Sequence, residues 1–183
     1  ISERSKVTIR GLNMRRYSEE VDLINRLYNT AWETNWGFVP MTPEEFRYTA
    51  AQMKQIIDPD LALIAVVGDK PIGFSLSLPD LNQALKYLNG KLLPLGVVKL
   101  LWHTKIRNKV RGLRTIIMGI LPEFQKKGID LLMHVQTYER GVRKGYRTSE
   151  LSWVLESNEQ MHAVAEGLGA RRYKTYRLVE IPI

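Results

Sequence analysis

The most compact cluster of chemistry-bearing residues is the hexapeptide Gln125-Lys126-Lys127-Gly128-Ile129-Asp130. It follows the apolar run Thr115 to Leu121, closed by Pro122, and precedes an amphipathic stretch from Ile129 to Arg143. The order is therefore strand, short turn, helix. The unpaired N–H groups at such a helix start are pre-aimed donors with partial positive charge, and they suit a pyrophosphate. Gly128 permits close backbone approach or a positive φ, while Lys126 and Lys127 add counter-charge. A solvated basic turn is the plain alternative. Asp130 pulls the other way, because a carboxylate there competes for the same N–H groups or repels an anion.

The remaining chemistry is narrower. The chain has no cysteine, which removes disulfides, thiolate zinc sites and a cysteine nucleophile and fits a reducing compartment. His103, His134 and His162 have no ligand spacing, so no metal site is expected. The formal net charge is +8, and the excess lies in one segment: no acidic residue occurs between Asp80 and Glu123, while Lys86, Lys91, Lys99, Lys105, Arg107, Lys109, Arg111 and Arg114 are all basic. Nucleic acid, an anionic membrane surface or an anionic small molecule would each suit such a field.

The elements that must position the turn can be read along the chain. Val7 to Arg10 predicts a first strand. Ser18 is expected to cap a helix with the apolar stripe Ile24, Leu27, Tyr28, Ala31 and Trp32. Thr42-Pro43-Glu44-Glu45 predicts a capping box opening a second helix, with the stripe Phe46, Ala50, Met53 and Ile57 and a stop at Asp58-Pro59. Leu61 to Val67 and Ile72 to Leu78 predict a hairpin joined by Gly68-Asp69-Lys70-Pro71. Residues of about 80–112 form a basic helical insertion, in which Leu100, Leu101, Trp102 and Ile106 make an apolar face among cations. The Thr115 to Leu121 run predicts a central strand covered on both faces. The next helix is expected to bury Leu131, Leu132, Val135, Tyr138 and Val142 and to stop at Gly145. Ser149 to Leu155 predicts another strand, Ser157 or Asn158 a helix cap, Gly169 a helix stop, and Arg171 to Ile181 a last extended segment.

That order of elements, with Gln125-Lys126-Lys127-Gly128-Ile129 after the fourth strand and Leu168-Gly169-Ala170 after the last helix, resembles the GNAT superfamily of acyl-CoA-dependent N-acyltransferases over nearly the whole chain. The resemblance implies an α/β (α+β) fold: a mixed, mostly antiparallel sheet, helices on both faces, and a splay between strands 4 and 5. It also implies acetyl-CoA or another acyl-CoA as donor. Met118, Gly119, Ile120 and Leu121 would pair with the pantetheine amides, Gln125 to Ile129 would cradle the phosphates, and Asn158 would help hold the pantetheine arm. Trp36 and Phe38 would wall the acceptor pocket. Glu156 is the first candidate for the base that deprotonates the amine, Glu150 the second. Where many members carry a tyrosine as general acid this chain has Ala165, so Tyr173 or Tyr176 would have to substitute.

The expected function is N-acetyltransferase-type transfer of an acyl group to an amine of a small molecule or peptide by direct attack. A catalytically degenerate module that binds coenzyme A or senses a ligand is the alternative, given Ala165 and Asp130. A basic-surface binder of nucleic acid or membrane comes third, nucleic acid being disfavoured because no recognition-motif spacing accompanies the charge. The chain of 183 residues is read as one domain. No stretch reaches the ~18 apolar residues of a spanning helix and the first residues lack a signal-peptide core, so a soluble, cytoplasmic protein is expected. The sequence begins with Ile rather than Met, which suggests that a tag, an initiator or a whole upstream region has been removed, a larger parent protein being one of these alternatives. Homodimerisation is left open.

Overall fold

The computed structural model describes residues 6–35, 37–91, 95–102, 104, 109–177 and 179. By its internal contacts the chain divides into two compact units, Ile1–Ser152 and Trp153–Ile183.

The larger unit is a five-stranded sheet in the order β1 (Val7–Gly11), β2 (Ala62–Val67), β3 (Lys70–Pro79), β4 (Gly112–Ile120) and β5 (Thr148–Leu151). The first three pairings are antiparallel and β4 with β5 is parallel. Its helices are α1 (Tyr17–Trp32), α2 (Pro43–Met53), α3 (Asn82–Leu85), α4 (Gly96–Leu101) and α5 (Ile129–Arg143). One face of the sheet buries Leu63, Ala65, Ile72 and Ile120 with Ile129 and Met133 of α5. The other buries Ala62 and Ile64 among Tyr17, Leu23 and Ile24 of α1. Helices therefore cover both faces, as the apolar character of β2 and β3 requires.

Several local expectations change. Ser18 is not a cap: Asn13 caps a 3-10 turn, Met14–Arg16, by accepting the Arg15 N–H at 3.0 Å, and α1 continues directly from that turn. The capping box at Thr42 and Glu45 is present, but α2 ends at Met53, before Asp58-Pro59. The β2–β3 turn is shorter than expected, because Lys70 and Pro71 already belong to β3. Pro71 faces Val66 at a break in register, where a residue without an N–H costs the ladder least.

The largest correction concerns α5. Tyr138 is 71% exposed and Val142 51%, while Asp130, Met133, His134, Thr137 and Gly141 face inward with Ile129. Of the apolar stripe read from the sequence, Leu131, Tyr138 and Val142 are exposed, while Val135 is half-buried and Leu132 packs against the core. Polar residues occupy part of the buried face, so a spacing argument that assumes a wholly apolar inner side misplaces three of the five. Beyond β5, the strand expected through Leu155 stops at Leu151, and residues 171–177 form no strand.

In β4 the apolar run is only half covered. Thr115 faces Ser77 and Ile117 faces Leu76, so Ile116 is an extra residue without a partner in β3. A bulge of this kind bends the strand and increases its twist. The break is reinforced by a buried contact between the hydroxyls of Ser77 and Thr115, 2.8 Å apart. Past the bulge, α1 lies close on the sheet: a Cβ added at Gly119 would stand 2.7 Å from Phe74 Cε1 and 3.0 Å from Ala31 Cβ. Gly119→Ala is therefore expected to destabilise the protein by about 1–3 kcal/mol through overpacking, read as a lower urea midpoint at unchanged slope.

Candidate functional site

Two structural events meet at the C-terminal end of β4. The first is the loss of β5. Parallel pairing runs only from Gly112 opposite Thr148 to Thr115 opposite Leu151, with one further bond from the Ser152 N–H to the Thr115 carbonyl at 3.2 Å. Arg114 holds this junction, donating to Ser152 Oγ at 2.6 Å and to Glu150 at 3.2 Å. From Ile116 onward, among the described residues, β4 has β3 on one edge and no strand paired on the other, so the pairing of strands 4 and 5 ends at the bulge.

Antiparallel alternation then decides which backbone groups face the open edge. The Leu121 N–H donates to the Ile72 carbonyl at 2.9 Å, which makes Gly119 and Phe74 a bonded pair and turns the polar groups of Met118 and Ile120 the other way. Of the four residues Met118 to Leu121, only Met118 and Ile120 thus present backbone groups outward. Both carbonyls already have partners. The Trp32 indole donates to Met118 at 3.0 Å, and the Gln125 amide donates to Ile120 at 3.0 Å. Gln125 braces the turn against the strand rather than reaching into solvent. Trp32 was legible only as part of a helical stripe; the signal that could have found it is that a half-buried indole N–H needs an acceptor.

The second event is the turn. Pro122–Phe124 form one 3-10 turn, Lys126 takes a left-handed conformation with φ 58, and Gly128 takes φ 74 just before α5 begins. A left-handed residue followed by a helical one makes successive N–H groups converge into a concave donor cluster. Among the described residues no protein acceptor takes the amides of Lys126, Lys127, Gly128 or Ile129. The first helical bond runs from the Leu132 N–H to the Gly128 carbonyl at 3.0 Å. The Asp130 side chain is buried and accepts the Leu131 N–H at 2.9 Å, so it engages one of the donors at the start of α5. Lys127 donates to the Glu123 carbonyl at 2.7 Å and lies over the Phe124 ring, so its charge stays beside the turn.

Aromatic side chains border the open stretch on the α1 side. Phe38 meets Tyr28 edge-on at 5.3 Å and lies 6.4 Å from Trp32, while Tyr28 also contacts Phe46. Phe38 is therefore held next to the residue that caps Met118. Trp36 lies outside the described residues.

The expected acid–base residues are differently disposed. Glu150 is in β5 and ion-paired with Arg114 at 3.2 Å, so its carboxylate is engaged within the sheet. Glu156 is exposed in a turn after the strand has ended, in the smaller unit, rather than at the strand's tip. That unit holds α6 (Glu159–Gly167), capped by Asn158, whose side chain accepts the Met161 N–H at 3.0 Å. The Asn158 oxygen is thus engaged in the cap, and Gly169 ends the helix with φ 79. Tyr173 and Tyr176 are exposed and lie on no strand; Tyr176 packs against Trp153 at 6.0 Å. Among the described residues no group of histidine and carboxylate side chains is arranged to hold a metal. A cavity of about 680 Å³ exists at the start of α1, lined by residues including Arg10, Arg16, Glu20 and Asp60, but no residue of the turn borders it.

With the geometry in hand, the chain can be compared with known proteins. Its fold is that of the GNAT acetyltransferases: it superimposes on the aminoglycoside N-acetyltransferase AAC(6')-Iy, solved in complex with CoA, with a TM-score of 0.60 over 97% of this chain and 95% of that one, at 15% identity. In sequence it is 39% identical over 181 residues to Protein YghO of Escherichia coli (strain K12), covering 97% of this chain and 46% of that protein. It is likewise 39% identical over 180 residues to the bacterial ceramide synthase of Caulobacter vibrioides (strain NA1000 / CB15N), covering 96% of this chain and 47% of that protein. The chain thus spans about half the length of these two relatives. No protein-family model matches it.

On the inner face of α5, His134 is 6% exposed, and among the described residues neither its Nε2 nor the buried Ser75 hydroxyl of β3 has a hydrogen-bond partner. Burial holds the His134 pKa below its ordinary 6.5, against the smaller opposing pull of Asp130. A histidine whose folded pKa is depressed binds fewer protons folded than unfolded, so stability rises with pH through that window. The urea midpoint is accordingly expected to fall as pH drops below about 6.5, before the carboxylates titrate. His134→Gln should flatten that part of the profile.

Proposed function

We propose that this chain transfers an acyl group from an acyl-CoA to an amine. The observation that carries the reading is the left-handed Gly128 turn opening α5, with its untaken amides, at the end of a β4 strand that lacks a neighbour on one edge. The donor cluster fits a diphosphate, and Lys126 and Lys127 supply counter-charge. The outward N–H groups of Met118 and Ile120 fit amide carbonyls of an extended arm laid along β4 as an added strand. Asp130 offsets part of the attraction.

The chemistry follows from what must move. A neutral amine nitrogen forms the new C–N bond at the thioester carbonyl, the C–S bond breaks, and the thiolate accepts a proton. The amine, with a solution pKa of about 10 if it resembles lysine, must first surrender one. With Glu150 engaged by Arg114, Glu156 is the stronger candidate base, and Tyr173 or Tyr176 stand for the general acid that Ala165 cannot be. The aromatic group of Tyr28, Trp32 and Phe38 would flank the acceptor.

The relative named a bacterial ceramide synthase supports a finer reading of the acceptor. A ceramide is an amide of a long-chain amino alcohol, so making one from an activated acyl group is N-acyl transfer. We take a lipid amine as the favoured acceptor class, ahead of a polar small molecule or a peptide amine.

Calorimetry and thermal shift with acetyl-CoA and long-chain acyl-CoA should give saturable binding; no heat and no shift at millimolar ligand would end the proposal. Gly128→Val forces a β-branched residue into φ 74 and is expected to weaken acyl-CoA binding at least tenfold, whereas Asp130→Asn should tighten it by about two- to fivefold. Glu156→Gln is expected to lower kcat by roughly a hundredfold at unchanged acyl-CoA affinity, and Glu150→Gln much less. Equal turnover by Glu156→Gln and the parent would remove Glu156 from the mechanism.

A further inference from the structure

The acidic-free segment after β3 is not absorbed by the acyl-transfer site. It is fastened to the sheet by definite bonds. Gln83 Oε1 accepts the N–H groups of Arg111 and Gly112 at 2.9 and 3.2 Å, the Asp80 N–H donates to the Gly112 carbonyl at 2.8 Å, and Ala84 and Leu88 are buried beneath. The 3-10 turn Lys86–Leu88 packs against both α3 and α4. This is an anchored platform with a defined outer side.

The outer side is apolar where water would favour polar residues. Leu95 is 66% exposed, Val98 62% and Trp102 48%, at i, i+3 and i+7, which is one stripe of a helix. Leu85 and Tyr87 are exposed on the adjoining turn. Singly exposed apolar residues need no explanation, but a stripe of them on an ordered platform does. The same segment of sequence carries the described cations Lys86, Lys91, Lys99, Lys109 and Arg111 and no acidic residue, since none occurs between Asp80 and Glu123.

We propose that this platform docks on an anionic lipid surface, with Leu95, Val98 and Trp102 entering the headgroup boundary and the lysines facing lipid phosphates. Charge complementarity identifies an anionic partner, and the aliphatic stripe separates lipid from nucleic acid. Leu95 and Val98 offer nothing for bases to stack on, whereas an exposed apolar stripe in a lysine-bearing segment without acidic residues, with a tryptophan at its end, is the pattern of a helix lying in an interface. No helix among the described residues is long and apolar enough to cross a membrane, so the mode is attachment from one side. The inference rests on the lipid-amine reading for its purpose, since a docked domain meets a membrane-dissolved acceptor, but its evidence is independent of the Gly128 turn.

The test is co-sedimentation of the chain with vesicles of phosphatidylcholine alone and of equal parts phosphatidylcholine and phosphatidylglycerol. Binding is expected only to the second, weakening with salt, with a blue shift in tryptophan emission that Trp102→Ser reduces. Val98→Asp should lower the partition coefficient at least tenfold, and Lys91→Gln and Lys99→Gln about fivefold each. All four positions are exposed, and unchanged circular dichroism and acyl-CoA thermal shift in each variant establish that the fold persists. Absence of binding to the anionic vesicles at low salt, or equal binding by Val98→Asp and the parent, would overturn the proposal, as would tighter binding to duplex RNA or DNA that Val98→Asp leaves intact. If vesicle binding holds while acyl-CoA fails to bind, the docking surface stands and only the acyl-transfer reading falls.

Discussion

The extra residue at Ile116 is the constraint on which the rest of the molecule turns. Up to Thr115, β4 is an ordinary internal strand with β3 on one edge and β5 on the other. One unmatched residue bends it, and from there the two parallel strands diverge. A strand that loses a neighbour leaves N–H and C=O groups that must find other partners or a ligand. The protein answers this unevenly. It covers the Met118 and Ile120 carbonyls with the Trp32 indole and the Gln125 amide, and it leaves their N–H groups toward the opening.

The same logic explains why the turn after β4 has the composition it does. Gly128 takes a left-handed conformation that would strain any side chain, and among the described residues nothing takes up the amides at the start of the helix beyond it. Asp130 would be poorly tolerated if it faced an anion directly. Turned inward, it is buried, binds the Leu131 N–H and neighbours His134. Asp130, His134 and Thr137 are all buried on the inner face of α5, while Leu131, Tyr138 and Val142 are exposed.

The acidic-free segment has a separate logic. Gln83 and Asp80 tie it to the start of β4, so its position is set by the sheet even though its outer residues make no use of the core. A basic, apolar-striped platform and an anion-suited turn emerge at different parts of the same strand. On the proposed reading, one would hold the protein at a surface and the other would hold an acyl-CoA.

Local chemistry was enough to read the Thr42 capping box, the Asn158 cap, the Gly145 and Gly169 stops and the strand–turn–helix around Gly128. Each depends on residues within a few positions of one another. The order of those elements also sufficed for the GNAT resemblance. What the sequence could not determine was orientation. The buried face of α5 depended on its partners in the sheet, and periodicity placed it only in part: Leu132 packs inward as expected, but Leu131, Tyr138 and Val142 point outward because polar residues lie inside. The outward groups of Met118 and Ile120 followed from the register with β3, and a shift of one residue would have exchanged them for Gly119 and Leu121. The end of β5 at Leu151, which leaves Glu156 beyond the strand and Glu150 bound to Arg114, came from the bend at Ile116 and not from β-propensity, which continues through Leu155. Tertiary structure decided these points because a side chain's direction is set by what packs against it, and that information is spread over residues far apart in the chain.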